Sequence, residues 1–185
     1  VANALPTVKE RANWVTSHDH GAGTTELIDQ LLATDLAEFA PLLEHQEIPL
    51  GITTDGSELK IPPYGVNLLL AGSSQGGKTT LATGFIERLL KQNYQLCVID
   101  PEGDYSELED AVVLGDGHRP PTADEVMEVL AKPDANVVVN LLGISLEHRP
   151  AFFVQLFPRL LELRAQTGRP HWIVVDETHH LLGAD

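Results

Sequence analysis

Residues 72–80 read GSSQGGKTT, and no other stretch says as much about the fold. They fit the pattern glycine, four residues of any type, glycine, lysine, then serine or threonine, between an apolar run and a helical pattern. Glycines let the backbone fold around a phosphate, so that its N–H groups and the next helix N-terminus point at anionic oxygens. An ordinary Gly/Ser turn is the alternative, and the complete pattern favours nucleotide binding. The motif comprises Gly72, Ser73, Ser74, Gln75, Gly76, Gly77, Lys78, Thr79 and Thr80.

Two residues of this motif have separate expected roles. The Lys78 ammonium is expected to reach the β- and γ-phosphates, and the Thr79 hydroxyl to help hold Mg²⁺. The motif therefore predicts ATP and Mg²⁺ as the cofactors.

A second motif follows about a hundred residues later, where 172–177 read WIVVDE. At the carboxyl end of a parallel strand, Asp176 is expected to face the crevice that holds the phosphate loop and to associate with Mg²⁺. Glu177 is placed to polarise the water that attacks the γ-phosphate. A pair of solvated acids at a strand end is the alternative. The second acid favours hydrolysis over transfer to an acceptor, so we predict an ATPase with Lys78 and Glu177 as its catalytic residues.

Strands and helices alternate from residue 66 onward, which predicts an α/β fold with a parallel sheet flanked by helices. The expected strands are apolar runs, as is typical of strands covered on both faces. They are residues 66–71, 95–100, 111–114, 137–141 and 171–176. The expected helices are residues 78–92, 122–131 and about 147–167, the last with a kink at Pro158.

The first part of the chain has a different texture. Apolar residues at helical spacing predict a helix from Thr24 to about residue 40, which Pro41 ends. Residues 47–53 and 58–62 read as a short extended pair turned at Asp55-Gly56. We expect two domains, residues 1–45 and 46–185.

The 185 residues carry 12 basic and 27 acidic side chains, a net charge of −15. Such a surface repels phosphate backbones, which excludes a general nucleic-acid coat protein. The one cysteine, Cys97, is expected in the core rather than in a disulfide. No apolar run approaches the roughly 20 residues that a membrane span needs. These features favour a reducing cytoplasm and no membrane partner.

Several smaller features remain open at the sequence level. Residues 100–105, DPEGDY, form a turn that is equally a plain loop or a functional one, where Tyr105 stacks on a base or covers the sheet. His179 and His180 read as a γ-phosphate sensor or as packing residues rather than as metal ligands. The aromatic stripe of residues 152–163 reads as a core face. The densest basic cluster consists of Arg149, Arg159, Arg164 and Arg169. Such a cluster is usually a solvated surface, and it is the one place where this chain is expected to be able to contact a polyanion.

Residues from about 47 to 185 resemble the HerA/FtsK-type P-loop ATPases, in the additional-strand RecA-like class. Residues 72–80 match the Walker A motif, and 173–182 match a Walker B motif ending in Asp-Glu-x-His. Residues 99–105 match the Asp-Pro-x-Gly-Asp/Glu-Tyr turn, which generic phosphate-loop proteins lack. The resemblance implies a hexameric ring motor that hydrolyses ATP, in relatives used to pump DNA.

Two departures from that family are visible. The acidic balance does not support an extended DNA contact. The chain stops nine residues after Asp176, before the strands that carry a polar sensor and, in ring members, an arginine finger. We therefore expect an ATPase domain that is incomplete after Walker B.

Residues 1–45 are similar to the closing segment of HAD-type phosphatases, and the resemblance lies in residues 1–4 (VANA), 12–16 (ANWVT) and 21–28 (GAGTTELI). In that family an Asn-Ala turn and a helix with a glycine ahead of Leu-Ile end the domain, which implies a small α/β tail here. That family's nucleophilic Asp-x-Asp motif is absent here, so phosphatase activity is expected only of an upstream part of a parent chain. A nucleotide-dependent switch that controls the fused phosphatase remains an alternative to the ATPase. A small-molecule phosphotransferase remains another.

Overall fold

A computed structural model of the chain describes residues 1–37, 47–73 and 76–182. The chain divides into two compact units, Val1–Asn67 and Leu68–Asp185. The expected domain boundary near residue 46 lies outside the described residues, as do Pro41 and the motif residues Ser74 and Gln75.

The first unit contains two helices, α1 (Pro6–Arg11) and α2 (His20–Thr34). Helix α2 begins four residues before the predicted start because Asp19, in extended conformation, already forms its N-cap. It ends where Asp35 turns into the left-handed region at φ 51° and donates its N–H to the Leu31 oxygen. The helix is therefore shorter at its end than the apolar pattern predicts.

A β-hairpin completes the first unit, with β1 (Ile48–Ile52) antiparallel to β2 (Glu58–Ile61). Asp55 closes the turn by accepting from the Ser57 N–H at 3.1 Å, and Gly56 supplies a φ of 87°. The predicted extended pair is confirmed.

The second unit is α/β, with a four-stranded, all-parallel sheet flanked by helices. The strands lie in the order β4-β5-β3-β6. Four of the five strands predicted for this part are therefore confirmed. The elements are α3 (Lys78–Lys91), β3 (Leu96–Asp100), β4 (Ala111–Leu114), α4 (Ala123–Leu130), β5 (Asn136–Asn140), α5 (Arg149–Thr167) and β6 (Trp172–Val175).

The fifth predicted strand, residues 66–71, is wrong, because this segment joins neither sheet. Its apolar side chains are not covered: Leu69 is 86% exposed and Leu68 is 38% exposed. An apolar run becomes a strand only if a neighbouring strand satisfies its backbone hydrogen bonds, and periodicity alone does not reveal such a neighbour.

Strand β3 forms the centre of the core, and all five of its residues are buried. One face of the sheet packs under α4 and α5, where Leu156 and Leu160 are fully buried. On β6, Trp172 meets Phe85 of α3 edge to face, with ring centroids 4.9 Å apart. Cys97 lies in this core, as predicted, and burial raises the pKa of its thiol to about 12.

Local sequence signals set the helix ends. Thr122 accepts from the Glu125 N–H while Glu125 accepts from the Thr122 N–H, a capping box that starts α4. Helix α5 ends at Gly168, whose φ of 77° suits a glycine, and it runs through Pro158. Within the described part of the chain, no helix combines the length and the apolar character that crossing a bilayer requires.

Candidate functional site

The phosphate-loop motif leads directly into α3, which begins at Lys78. Gly76 donates its N–H to the Ser73 oxygen at 3.1 Å, and a Cβ at Gly76 would lie 2.9 Å from that oxygen. Gly77 adopts the left-handed region at φ 81° and forms the N-cap of α3. Both glycines are thus required by the backbone, as the motif predicts.

The first turn of α3 carries no side-chain cap. Its leading N–H groups therefore point outward at the positive end of a 14-residue helix, the usual setting for an anion. The Lys78 ammonium donates to the carbonyl oxygens of Gly72 and Ser73, at 3.2 and 3.1 Å. Lys78 thus folds back over its own loop, within reach of any group that the loop encloses.

Three polar residues stand in a row at the carboxyl end of the sheet. Asp100 at the end of β3 pairs in register with Asn140 at the end of β5. Asp176 follows β6 and donates its backbone N–H to the Ile99 oxygen at 3.1 Å. Parallel strands bring their carboxyl ends to one edge, the edge at which α/β proteins bind ligands. We call the group formed by Asn140, Asp100, Asp176 and the turn after β3 the carboxyl-edge cluster.

The Asp100 carboxylate is used inside the turn that follows β3. It accepts backbone N–H groups from Gly103, Asp104 and Tyr105 at 2.7, 3.2 and 3.0 Å, and it is fully buried. Gly103 adopts φ 83°, and a Cβ there would lie 2.7 Å from Leu142 Cδ1. The turn is therefore held in one conformation, and Asp100 acts as its anchor.

Asp176 and Glu177 adopt a constrained arrangement after β6. Glu177 has a φ of 39°, unusual for a residue with a side chain, and donates its N–H to Asp176 Oδ1 at 2.8 Å. His179 Nδ1 lies 3.1 Å from Glu177 Oε2. Backbone strain of this kind concentrates at functional sites.

Electrostatics show which acids share this space. The pKa of Asp104 is raised, first by burial and then by the charges of Asp100, Asp176, Glu102 and Glu177. The structure therefore brings the acids of the turn after β3 together with the two acids after β6. His180 Nε2 lies 3.4 Å from Glu102 Oε1, which links the same two segments and gives His180 a packing role.

The phosphate-loop motif and the acids after β6 are not bonded to each other across the residues that the structure describes. Among the described residues, the hydrogen bonds of Lys78 stay within its loop, and no ion pair joins it to Asp176 or Glu177. Since residues 66–71 form no strand, the sheet does not fix the loop beside its carboxyl edge.

The donor atoms fit the chemistry of Mg²⁺ with a nucleotide. In the part of the chain that is described, no three His, Cys, Asp or Glu side chains converge to enclose a metal ion. Mg²⁺ ordinarily keeps several waters and binds through one or two carboxylates and substrate phosphates, not through an all-protein cage. The Asp176 carboxylate and the Thr79 hydroxyl are oxygen donors of the required kind.

The basic cluster predicted on α5 does not form one surface. Arg149 and Arg169 are buried, and Arg149 donates through Nε to the Ile144 oxygen at 3.1 Å. Arg159 pairs with Asp124 at 2.8 Å. Two of the four arginines are thus buried, while Arg164 is exposed and Arg159 forms a surface ion pair, so the four do not present one basic surface to a polyanion.

Sequence reasoning missed Asn140 and left the role of Tyr105 open. Asn140 donates through Nδ2 to the Ser106 hydroxyl at 3.0 Å and so ties β5 to the turn after β3. A signal was present: a polar residue directly after three valines, the same pattern that identified Asp176. Tyr105 is 2% exposed, which decides against base stacking and for burial beside the sheet.

Comparison of the chain with protein-family models, with curated proteins and with solved structures gave no match.

Proposed function

We propose that this chain binds ATP with Mg²⁺ and hydrolyses it, as a domain of the HerA/FtsK type of P-loop ATPase. One observation carries the proposal: the motif of residues 72–80 runs into the uncapped N-terminus of α3, with Lys78 at the first helical position. The leading N–H groups of the helix, its dipole and an ammonium group then converge on one place, and a triphosphate is the ligand that uses all three.

The proposed roles follow from the chemistry of each side chain. Lys78 would bind the β- and γ-phosphate oxygens, and Thr79 with Asp176 would hold Mg²⁺. When bound, Mg²⁺ supplies positive charge that offsets the charge on the phosphate oxygens. Glu177 would orient a water and accept its proton at the carboxylate. Support for this last role comes from the strained Glu177 backbone next to Asp176.

The proposal is tested by two substitutions with opposite expected signatures. Lys78→Ala removes the ammonium and should weaken ATP binding in isothermal titration by about 10- to 150-fold, because a single charged contact to phosphate is worth about 1.5–3 kcal/mol. Glu177→Gln keeps the shape of the side chain and removes the base. It should leave ATP affinity within about twofold and lower turnover by about 10²–10⁴-fold.

Lys91→Ala is the matched control, since Lys91 lies at the far end of the same helix. It should change neither binding nor turnover. Unchanged ATP affinity in the Lys78 variant would overturn the assignment.

A nucleotide-dependent switch is a second candidate, favoured by the contact between His179 and Glu177. A carboxylate already engaged by an imidazole is less able to activate water, so this function gives tight binding with negligible turnover. His179→Ala separates the two functions. The variant should hydrolyse ATP faster than the unsubstituted chain if His179 restrains Glu177, and at the same rate if it does not.

The assembly and partners follow from the same resemblance. A homo-oligomeric ring in the cytoplasm is the form we propose, and light scattering with and without Mg²⁺ and ATP tests it. A net charge of −15 gives no support to DNA as a partner. ATPase activity unchanged by added DNA is therefore the expected result.

A further inference from the structure

The Tyr105 hydroxyl is a buried polar group that lacks a well-aligned hydrogen bond. Tyr105 is 2% exposed, and among the described residues its hydroxyl has no partner that meets ordinary distance and angle limits. Buried phenols normally find a partner, because an unpaired buried donor loses its hydrogen bonds to water without compensation. This hydroxyl therefore needs an acceptor close by.

The backbone around Tyr105 is held too firmly to bring the hydroxyl elsewhere. Its N–H donates to Asp100 Oδ2 at 3.0 Å, and the preceding residues of the turn bond to the other oxygen of Asp100. The next residue, Ser106, donates to the Gly103 oxygen at 2.9 Å and accepts from Asn140 at 3.0 Å. Any adjustment must come from the acceptor.

Asp176 is the acceptor that the sheet places beside this turn: Ile99 pairs in register with Val175, so Asp100, whose Oδ2 accepts the Tyr105 N–H, lies opposite Asp176. Burial is the main cause that raises the pKa of the Tyr105 phenol, and the neighbouring Asp176 carboxylate is the next. Asp176 Oδ1 already accepts the Glu177 N–H at 2.8 Å, which leaves Oδ2 for a second donor. The Asp176 backbone N–H donates to the Ile99 oxygen, so the remaining freedom to form this bond lies in the side-chain torsions of Asp176.

We propose that Tyr105 is a positioning residue for Asp176: its hydroxyl donates to the Asp176 carboxylate and orients it toward the Mg²⁺ of a bound nucleotide. This inference rests on the proposed function. A phenol bonded to a carboxylate is a charge-assisted pair, shorter and stronger than a neutral one. It connects the turn after β3, held by Asp100, to the acid after β6.

The test compares ATP affinity in Mg²⁺ and in EDTA by isothermal titration of the full chain. Tyr105→Phe should reduce the gain in affinity that Mg²⁺ provides by about tenfold, the usual effect of one hydrogen bond to a charged group, and leave affinity in EDTA unchanged. Tyr94→Phe is the matched control: Tyr94 is 3% exposed and lies two residues before the other end of β3. It should alter neither affinity.

Two results would overturn the inference. One is a full Mg²⁺ gain in Tyr105→Phe, and the other is an equal loss of affinity with and without Mg²⁺, which indicates a purely structural role. Thermal unfolding of each variant confirms that it folds.

A second readout needs no nucleotide and separates failure of this inference from failure of the proposed function. The NMR resonance of the buried Tyr105 hydroxyl proton should shift in Asp176→Asn and stay in place in Asp110→Asn, a substitution at an exposed site. If the unsubstituted chain binds no ATP, the proposed function fails, and this resonance still decides whether Tyr105 and Asp176 are bonded. If the chemical shift of this proton is unchanged in Asp176→Asn, Tyr105 and Asp176 are not bonded.

Discussion

The phosphate loop and the carboxyl-edge cluster are built in opposite ways. The loop has a complete motif and little packing: its bonds run between Gly72, Ser73, Gly76 and Lys78, and the apolar segment before it is exposed. The carboxyl-edge cluster has no comparable sequence motif, because its residues come from separate parts of the chain. Three parallel strands and the buried Asp100 hold it in place.

The comparison indicates that ligand binding and a fixed geometry come from different parts of the molecule. A loop that wraps a phosphate needs particular residue types in order, and its neighbours in the chain supply them. An edge that orients carboxylates needs residues distant in sequence, so tertiary packing supplies its geometry. Substitutions in the cluster should therefore affect folding stability, while substitutions in the loop should affect ligand binding more than stability.

Between the loop and the cluster, the largest stability effect is expected at Asp100. Asp100→Asn removes a charge that accepts three N–H groups and places an amide group against one of those donors. We expect the free energy of unfolding, measured by urea denaturation, to fall by about 1.5–3 kcal/mol. Asp110→Asn is the control, since Asp110 is exposed and asparagine tolerates its φ of 62°. Equal stability of the two variants would mean that the anchor is dispensable.

An intermediate effect is expected at Gly77 in the loop. Gly77→Ala meets no steric neighbour, so its cost is the left-handed backbone alone, about 1 kcal/mol of unfolding free energy. The same change should weaken ATP binding, because it disturbs the N-cap of α3. Gly117→Ala adds a methyl group with equal space and no positive φ, and should leave both quantities unchanged. Normal ATP binding by Gly77→Ala would remove the loop from the proposed site.

The smallest effect is expected at Leu69. Leu69→Ala shortens a side chain that is 86% exposed, so the free energy of unfolding should change by less than about 0.5 kcal/mol. The same substitution at the fully buried Leu160 should cost about 2–5 kcal/mol. A loss above about 1 kcal/mol at Leu69 would show that this segment packs as a strand, as its apolar pattern predicts, and that the loop is not the loosely supported region.

Local signals in the sequence predicted much of the fold. Four apolar runs became the parallel sheet, with the inner strands β3 and β5 buried almost throughout and the edge strand β4 exposed at Val112 and Val113. The helix expected at residues 122–131 begins through a capping box of Thr122 and Glu125, and the helix expected at about 147–167 ends at Gly168. Asp55-Gly56 marked the hairpin. In each case the decisive interaction lies within a few residues of the signal.

The failures depend on partners that the local sequence does not contain. Residues 66–71 have the composition of a strand and lack a strand to pair with. Helix α2 contains Gly23, a weak helix former. Only glycine fits at this position, since a Cβ would lie 2.4 Å from the His18 oxygen. The sequence left the turn of residues 100–105 open between a plain and a functional loop, and it did not show that the Asp100 carboxylate accepts three N–H groups of that turn. Periodicity and residue type carry no record of such contacts.

The candidate site was predictable to a similar degree. The roles of Lys78, Asp176 and Glu177 were assigned from motif and strand end, and they stay predictions. The positions of Tyr105 and Asn140 depend on the register in which β3, β5 and β6 pair. That register cannot be predicted from the sequence of any one strand.

The single cysteine has a practical consequence. Cys97 lies in the central strand, fully buried, and its thiol has a pKa of about 12, so it barely reacts while the sheet is closed. A thiol reagent in excess can therefore modify it only when the sheet opens. The labelling rate of Cys97 then reports how often the sheet opens, and no cysteine has to be introduced for the measurement. A ligand that binds the folded chain should lower the labelling rate, and a compound that does not bind should leave the rate unchanged.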